Sequence, residues 1–266
     1  MTLSLILTVN NRPREVSRQV AQALSLPGNT PDQLVVVLDR VPADLASATI
    51  KIYNAGLAPD TIFTMVEGEP GWLGPARAWN QGFAQATGDT LMCISSEVGL
   101  AEGTLDRMRE LVDTDTDADA DTVVFGACHN SVSRNLVVGA DPGLLVSSKM
   151  PRPLGFIVAM PADRVREIGG FDESFMGDRM QPGYWYDDDD FFLRLWHTGA
   201  RFVFDDAAHG IHLDHDRPDL DTPAGRRGIE RNRLLMVSKH NSAHPWATLP
   251  KRVHGRTGQL VWEHVE

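Results

Sequence analysis

With 266 residues and 42% hydrophobic content, the chain can bury a core of its own, as one large or two small domains. Lys and Arg number 25 against 36 Asp and Glu, and the resulting charge of −11 argues against a protein that coats nucleic acid. Cys93 and Cys128 lie in apolar runs and match no metal-ligand spacing, no stretch reaches membrane-span length, and the N-terminus lacks a basic region and a small-residue cleavage site. The expectation is a soluble, cytoplasmic protein with buried, reduced thiols.

In chain order, residues 3–9 form a continuous apolar strand, residues 14–24 have helical periodicity, and residues 34–38 form a second buried strand closed by Asp39. Two such strands joined by a helix make a βαβ unit, and ligands of open parallel sheets collect at the carboxyl ends of the strands. Asn10, Asn11, Arg12 and Asp39 stand at such ends, although Asp39 reads equally well as a turn or cap residue. A third strand is expected at 61–66. Gly74-Pro75 then opens a helix through Ala76, Ala78, Trp79, Phe83 and Ala84 that Gly88 ends, and a fourth strand follows at 90–95. Alternating aspartates from Asp113 to Asp121 imitate a calcium loop, but Ala118 and Val124 stand where its glycine and final glutamate belong, so a solvated loop is expected. Short strands are expected at 123–127 and 135–138, a longer one at 153–160, and a short helix at 162–168.

The most informative stretch is 169–199. Asp187, Asp188, Asp189 and Asp190 precede Phe191, Phe192, Leu195 and Trp196, which have helical spacing. Capping and the helix dipole account for one or two acidic residues in a first turn. Four adjacent carboxylates repel one another, and keeping them together calls for a cation, hydrogen-bonded partners or a raised pKa. Asp188 shares the buried face of Phe192, whereas Asp190 pairs with Arg194 at i,i+4 on a side expected to face solvent. A carboxylate at the mouth of a buried face is a candidate general base. Just upstream, Tyr184, Trp185 and Tyr186 follow Gly177, Pro182 and Gly183; aromatic rings beside flexible residues read as a binding loop, or else as core filler. After a last strand at 201–204, His209, His212 and His215 fall within seven residues, either as metal ligands or as partners of Asp214 and Asp216. Residues 216–228 are polar and read as a lid, residues 229–240 as a basic helix, and residues 251–266 as an amphipathic tail.

GGFDESF followed by DDDDFFLRLWHTG resembles a segment of the inverting GT-A glycosyltransferases, the large family-two group and the related galactosyltransferases. Anchored on Arg194 and Gly199, the resemblance puts the family's acidic pair on Asp187 and Asp188 and its catalytic base on Asp188, with Asp187 in place of a glutamate. The first strand end is similar to the family's P-T-Y-N-R-P in Asn11, Arg12 and Pro13, with Asn10 replacing the tyrosine, and Asp39 matches V-V-D-D. These segments hold the donor's base and ribose in the family. GWLGPARAWNQGFAQATGD is similar to G-x-x-x-A-R-N-x-G-x-x-x-A-x-G-D, with Asn80, Gly82, Ala86, Gly88 and Asp89 in register. Arg77 would reach a diphosphate or neutralise a nearby carboxylate. Where the family carries its D-x-D metal motif, this chain has Ser95-Ser96-Glu97, and the family's terminal histidine falls on His212.

The resemblance implies an α/β protein of GT-A (Rossmann-like) fold, a mixed, mainly parallel sheet flanked by helices. The catalytic domain would span 1–240, with a donor half (1–100), an acceptor half (101–215), and a lid and closing helix (216–240), before a tail (241–266). It implies inverting transfer of a sugar from a nucleoside-diphosphate donor to a hydroxyl acceptor, with Asp188 as base beside Asp187. Thr8, Asn10, Asn11, Arg12, Asp39, Gly74, Arg77, Asn80, Ser95 and Ser96 would line the donor site, and Tyr184, Trp185 and Tyr186 the acceptor site. Glu97 and His212 would hold Mn2+ or Mg2+. A nucleic-acid acceptor is disfavoured by the charge. Two rivals stand beside this expectation. A nucleotidyltransferase would want a glycine-rich loop after the first strand, and 8–14 has no glycine; a non-catalytic sugar- or nucleotide-binding descendant would account for Ser95.

Overall fold

The computed structural model describes residues 2–10, 14–54, 57–58, 60–66, 74–113, 121–131, 143–178, 182–215 and 220–265. The N-terminal half runs β1 (Leu3–Val9), α1 (Arg14–Leu24), β2 (Gln33–Asp39), α2 (Ala43–Tyr53), β3 (Asp60–Val66), α3 (Ala76–Gln85), β4 (Thr90–Ser95), β5 (Val98–Leu100) and α4 (Thr104–Asp113). There follow β6 (Thr122–Asn130), β7 (Leu144–Val146), β8 (Ile157–Pro161), α5 (Ala162–Glu167), a 3-10 turn at Glu173–Met176, and α6 (Asp187–His197). The chain continues through β9 (Arg201–His212), α7 (Pro223–His240), α8 (Pro245–Thr248), β10 (Arg252–Arg256) and β11 (Gln259–Glu263).

Among the described residues, eleven strands form one sheet in the order β10-β11-β9-β6-β8-β4-β1-β2-β3, with β5 on β9 and β7 on β6. The run β3-β2-β1-β4 is parallel, β8 is antiparallel to both β4 and β6, and β6 is parallel to β9. The apolar runs of β1 and β2 are buried on both faces, which is what a parallel sheet covered by crossover helices requires. Gly82 permits the close approach of α3, because a Cβ there would lie 2.4 Å from Ile6 Cγ2. Under α6, Phe125 meets Phe192, Phe202 and Phe204 at centroid distances of 4.9, 5.2 and 5.0 Å. Each buried ring of this kind contributes roughly 1.5–3 kcal/mol by desolvation, so α6 is fixed on the sheet by its apolar face.

Several boundaries differ from expectation. Residues 223–228, read as part of a lid, form the first turns of α7: Thr222 caps it by accepting from the Gly225 N–H at 3.0 Å, and Pro223 occupies its first turn. The segment read as a tail forms the β10–β11 hairpin, and β11 pairs antiparallel with β9. Strand β9 is 12 residues long rather than four, because Asp205 accepts from the Ala207 and Ala208 N–H groups at a register shift and lets pairing with β6 resume. Asp190 does not face solvent: α7 covers it and it is fully buried. Asn11, Arg12, Pro13, the aspartates at 115, 117 and 119, the strand at 135–138 and Asp216 lie outside the described residues. No helix among the described residues is long and apolar enough to cross a membrane.

Candidate active site

Strands β1, β2 and β4 end side by side, with Thr8 in register with Val37 and Ser95. At this edge the Asn10 side-chain amide donates to the Asp39 carbonyl at 3.0 Å and to its carboxylate at 3.2 Å. Arg40 adopts φ +52 and folds its guanidinium back onto Asp39, with Nε 2.5 Å from Oδ1 and Nη2 2.6 Å from Oδ2; both residues are buried. The same Nη2 donates to the Gly74 carbonyl at 3.2 Å and so ties the start of α3 to the end of β2. Thr8, Asn10, Asp39, Gly74 and Ser95 are thus brought to one edge of the sheet. Arg40 was missed from the sequence, where its only signal is its place in the second acidic position of V-V-D-D.

Arg77 and Asn80 turn elsewhere. Arg77 Nε pairs with Glu173 at 3.1 Å. Asn80 accepts from the Phe171 N–H at 2.8 Å and donates to the Phe171 carbonyl at 2.9 Å, clipping the turn at 169–173 to α3.

The carboxylates of α6 occupy different surroundings. Asp188 Oδ2 accepts the Gly155 N–H at 3.1 Å. Desolvation, reinforced by the charge of Asp187, pushes Asp188 well above the usual carboxylate range against the opposing pull of that hydrogen bond. Desolvation also pushes Asp187 up to about 6, although its own and Asp188's backbone N–H groups oppose the shift. Asp189 is raised by desolvation despite a 2.8 Å hydrogen bond from Trp246 Nε1. Burial would raise Asp190 too, but Lys239 at 2.5 Å, His240 at 2.8 Å and Arg194 at 2.8 Å outweigh it and hold Asp190 low. One helical turn therefore carries an anchored anion, Asp190, and two neighbouring carboxyl groups of raised proton affinity, Asp187 and Asp188.

On the other side of Gly155, β5 pairs with β9 and places His212 opposite Val98, next to Glu97. Glu97 Oε1 lies 3.3 Å from His212 Nε2 and 3.5 Å from His215 Nε2, and a potential ligand atom from each of the three lies within 4.8 Å of the others. Ser96 Oγ donates to Glu97 Oε2 at 3.0 Å and orients the carboxylate. A carboxylate and two imidazoles fit a divalent ion, and suit Mn2+ and later first-row ions better than Mg2+, which takes oxygen ligands. His209 is exposed and contacts the Ala207 carbonyl, away from this group. Ser95 Oγ is 3.5 Å from the Gly155 carbonyl and is not among the three. The sequence offered His209, His212 and His215 together as possible ligands and assigned only His212; the structure adds His215 to the group and leaves His209 out. Phe156 meets the His212 ring edge-on at 5.5 Å, so Gly155 and Phe156 join Asp188 to the Glu97 group.

Tyr184, Trp185 and Tyr186 lead into α6. Trp185 is 60% exposed, whereas Tyr186 packs with Phe175, Leu193 and Met236.

No family model and no curated protein matches the chain. Solved structures do. A structure of S. aureus TarS 1-349 in complex with UDP-GlcNAc superposes with a TM-score of 0.59 at 12% identity, covering 89% of this chain and 67% of that one. GalNAc-T7 with UDP, GalNAc and Mn2+ gives 0.58 at 14% identity, covering 89% and 48%. The mannosyltransferase PcManGT from Pyrobaculum calidifontis, in complex with GDP-Man and Mn2+, gives 0.55 at 16% identity, covering 82% and 58%. The chain spans 48% to 67% of the lengths of these three structures. The parallel β3-β2-β1-β4 core, the mixed extension beyond it and these superpositions together establish that the chain has the GT-A fold of glycosyltransferases.

Proposed function

We propose that the protein transfers a sugar from a nucleoside-diphosphate donor to a hydroxyl acceptor with inversion. The observation that carries this reading is the convergence on Gly155 and Phe156 of the Asp188 carboxylate and a Glu-His-His group, at the end of a GT-A sheet. The donor lies against the ends of β1, β2 and β4, where Thr8, Asn10, Asp39 and Gly74 gather. Asp188 accepts the acceptor's hydroxyl proton as its oxygen attacks the anomeric carbon from the face opposite the leaving diphosphate, which inverts the configuration. Its elevated proton affinity makes it a stronger proton acceptor than an ordinary carboxylate. The charge of neighbouring Asp187 raises the proton affinity of Asp188 further. Trp185 offers the acceptor an apolar face. Glu97, His212 and His215 would hold a divalent cation, which neutralises charge on a leaving diphosphate.

Released nucleotide, measured across UDP-, GDP- and TDP-sugars with Mn2+ and with chelator, tests the reading, together with the anomeric configuration of the product. Release from one donor with an inverted product supports it. A product of retained configuration removes the inverting mechanism, and binding of nucleotide without turnover moves the protein to a binding role.

A further inference from the structure

We propose that Asn232, on α7, is a positioning residue that holds the turn at Tyr184–Tyr186 and so fixes where Asp188 and Trp185 stand. The proposal rests on the transferase reading above. Asn232 is 1% exposed, and its amide nitrogen meets three carbonyls: Phe175 at 2.9 Å, Tyr184 at 3.1 Å and Trp185 at 2.9 Å. A primary amide has two N–H donors, so three acceptors converge on them. Its Oδ1 accepts from Arg231 Nη1 at 2.6 Å, and Arg231 Nη2 donates to the Ser174 carbonyl at 2.7 Å. One side chain therefore gathers the 3-10 turn at 173–176 and the aromatic turn, which are separate in sequence.

The clamped turn is one that its own residues disfavour. Trp185 and Tyr186 both have positive φ, +62 and +68, and neither is a glycine. Such a pair persists only where surrounding contacts over-determine it. The turn and the face of α7 that meets it are built for close approach: a Cβ on Gly228 of α7 would lie 2.0 Å from the Pro182 carbonyl, and one on Gly183 of the turn would lie 1.6 Å from the Phe175 carbonyl. Gly225, Gly228, Asn232 and Met236 are the buried positions along that face. The turn passes directly into α6, since the Tyr186 carbonyl accepts the Asp190 N–H at 2.9 Å. Moving Tyr186 therefore moves the first turn of α6 and draws Asp188 from the Gly155 N–H.

The test compares Asn232→Ala and Asn232→Gln with the wild type by amide hydrogen exchange, steady-state kinetics and carboxyl NMR titration. In Asn232→Ala, exchange at residues 184–190 is expected to rise at least about tenfold without a matching rise in β1 and β2. The kcat falls on the order of 100-fold with donor KM little changed, as about 1 Å of misplacement implies. Its acid limb moves to lower pH, because a loosened turn admits water to Asp187 and Asp188. Asn232→Gln keeps the amide donors and recovers part of kcat; it also carries the test if the alanine variant misfolds. Unchanged exchange at 184–190, or a fall in kcat with no movement of the acid limb, overturns the proposal. If the wild type transfers no sugar at all, the transferase reading fails, and exchange together with the carboxyl titration still decides the positioning role. A downward titration shift with local exchange supports it, and no change in either rejects it.

Discussion

The Gly155 backbone N–H donates to Asp188 Oδ2 at 3.1 Å, and a Cβ at Gly155 would come within 3.1 Å of the other carboxylate oxygen. The glycine is needed for room: its φ is not in the left-handed region, yet any side chain presses on the carboxyl group of the proposed base. Gly155→Ala is expected to displace Asp188 by a few tenths of an ångström and lower kcat by about 10- to 100-fold. Steady-state kinetics beside a thermal melt separate this from unfolding, since the melting temperature should hardly move.

Asp188→Asn removes proton acceptance while keeping size and hydrogen-bonding shape. Transfer is expected to fall by about 10²- to 10⁴-fold with donor binding retained, as measured by turnover and by calorimetric titration of the nucleotide. Retained turnover would take Asp188 out of the mechanism.

The carboxylate pair also sets a pH dependence of stability. Asp187, raised to about 6 in the folded chain, binds its proton more tightly than in the unfolded chain. Its favourable contribution is complete below the unfolded value of roughly 4 and is lost as pH rises through about 6. Asp188 is shifted in the same direction. Asp172, lowered to about 2 in spite of its burial by Lys239 and the Ser174 hydrogen bonds, acts only at the acid end. Chemical denaturation at pH 5 and pH 7.5 should therefore find the wild type losing stability between the two, and Asp187→Asn losing less. An equal loss in both would show that Asp187 is not the group responsible.

The histidines of β9 and the residues after it should differ in kind. His215→Ala is expected to weaken Mn2+ binding by at least about tenfold, whereas His209→Ala leaves it unchanged. Paramagnetic resonance of free Mn2+ in a titration reads both without recourse to activity. Equal affinities in all three proteins would dissolve the Glu97-His212-His215 assignment.

Arg40 neutralises Asp39 in a buried, bidentate pair. Arg40→Ala leaves that carboxylate buried and unpaired, so a loss of about 3–5 kcal/mol is expected in urea unfolding. Adding Asp39→Asn to Arg40→Ala should restore part of it, because the uncompensated charge is then gone.

The parallel core was legible because its signals are local. The apolar runs of β1, β2 and β4 and the period of α1 and α3 can be read within a few residues, and the structure places those elements at nearly the expected boundaries. The helix α6 and the Asp190–Arg194 pair were legible for the same reason. The solvation of Asp190 was not, since the residues that cover it, Lys239 and His240, lie about fifty positions away. The extended β9 and the β10–β11 hairpin escaped as well: their pairing depends on a register shift and on a partner strand, neither of which has a short-range signature.

By itself the sequence determined the alternation of strands and helices, the crowding of four carboxylates at one helix start, and the occurrence of histidines near the end of a strand, because composition and period act over one or two turns of chain. Only the tertiary structure decided which of those groups meet. Asp188 finds Gly155, Glu97 finds His212 and His215, and Asn232 finds Tyr184 and Trp185, because the sheet order brings distant segments within hydrogen-bond or ion-pair reach. Desolvation, which sets the proton affinity of Asp187 and Asp188, likewise depends on what the folded chain packs around them.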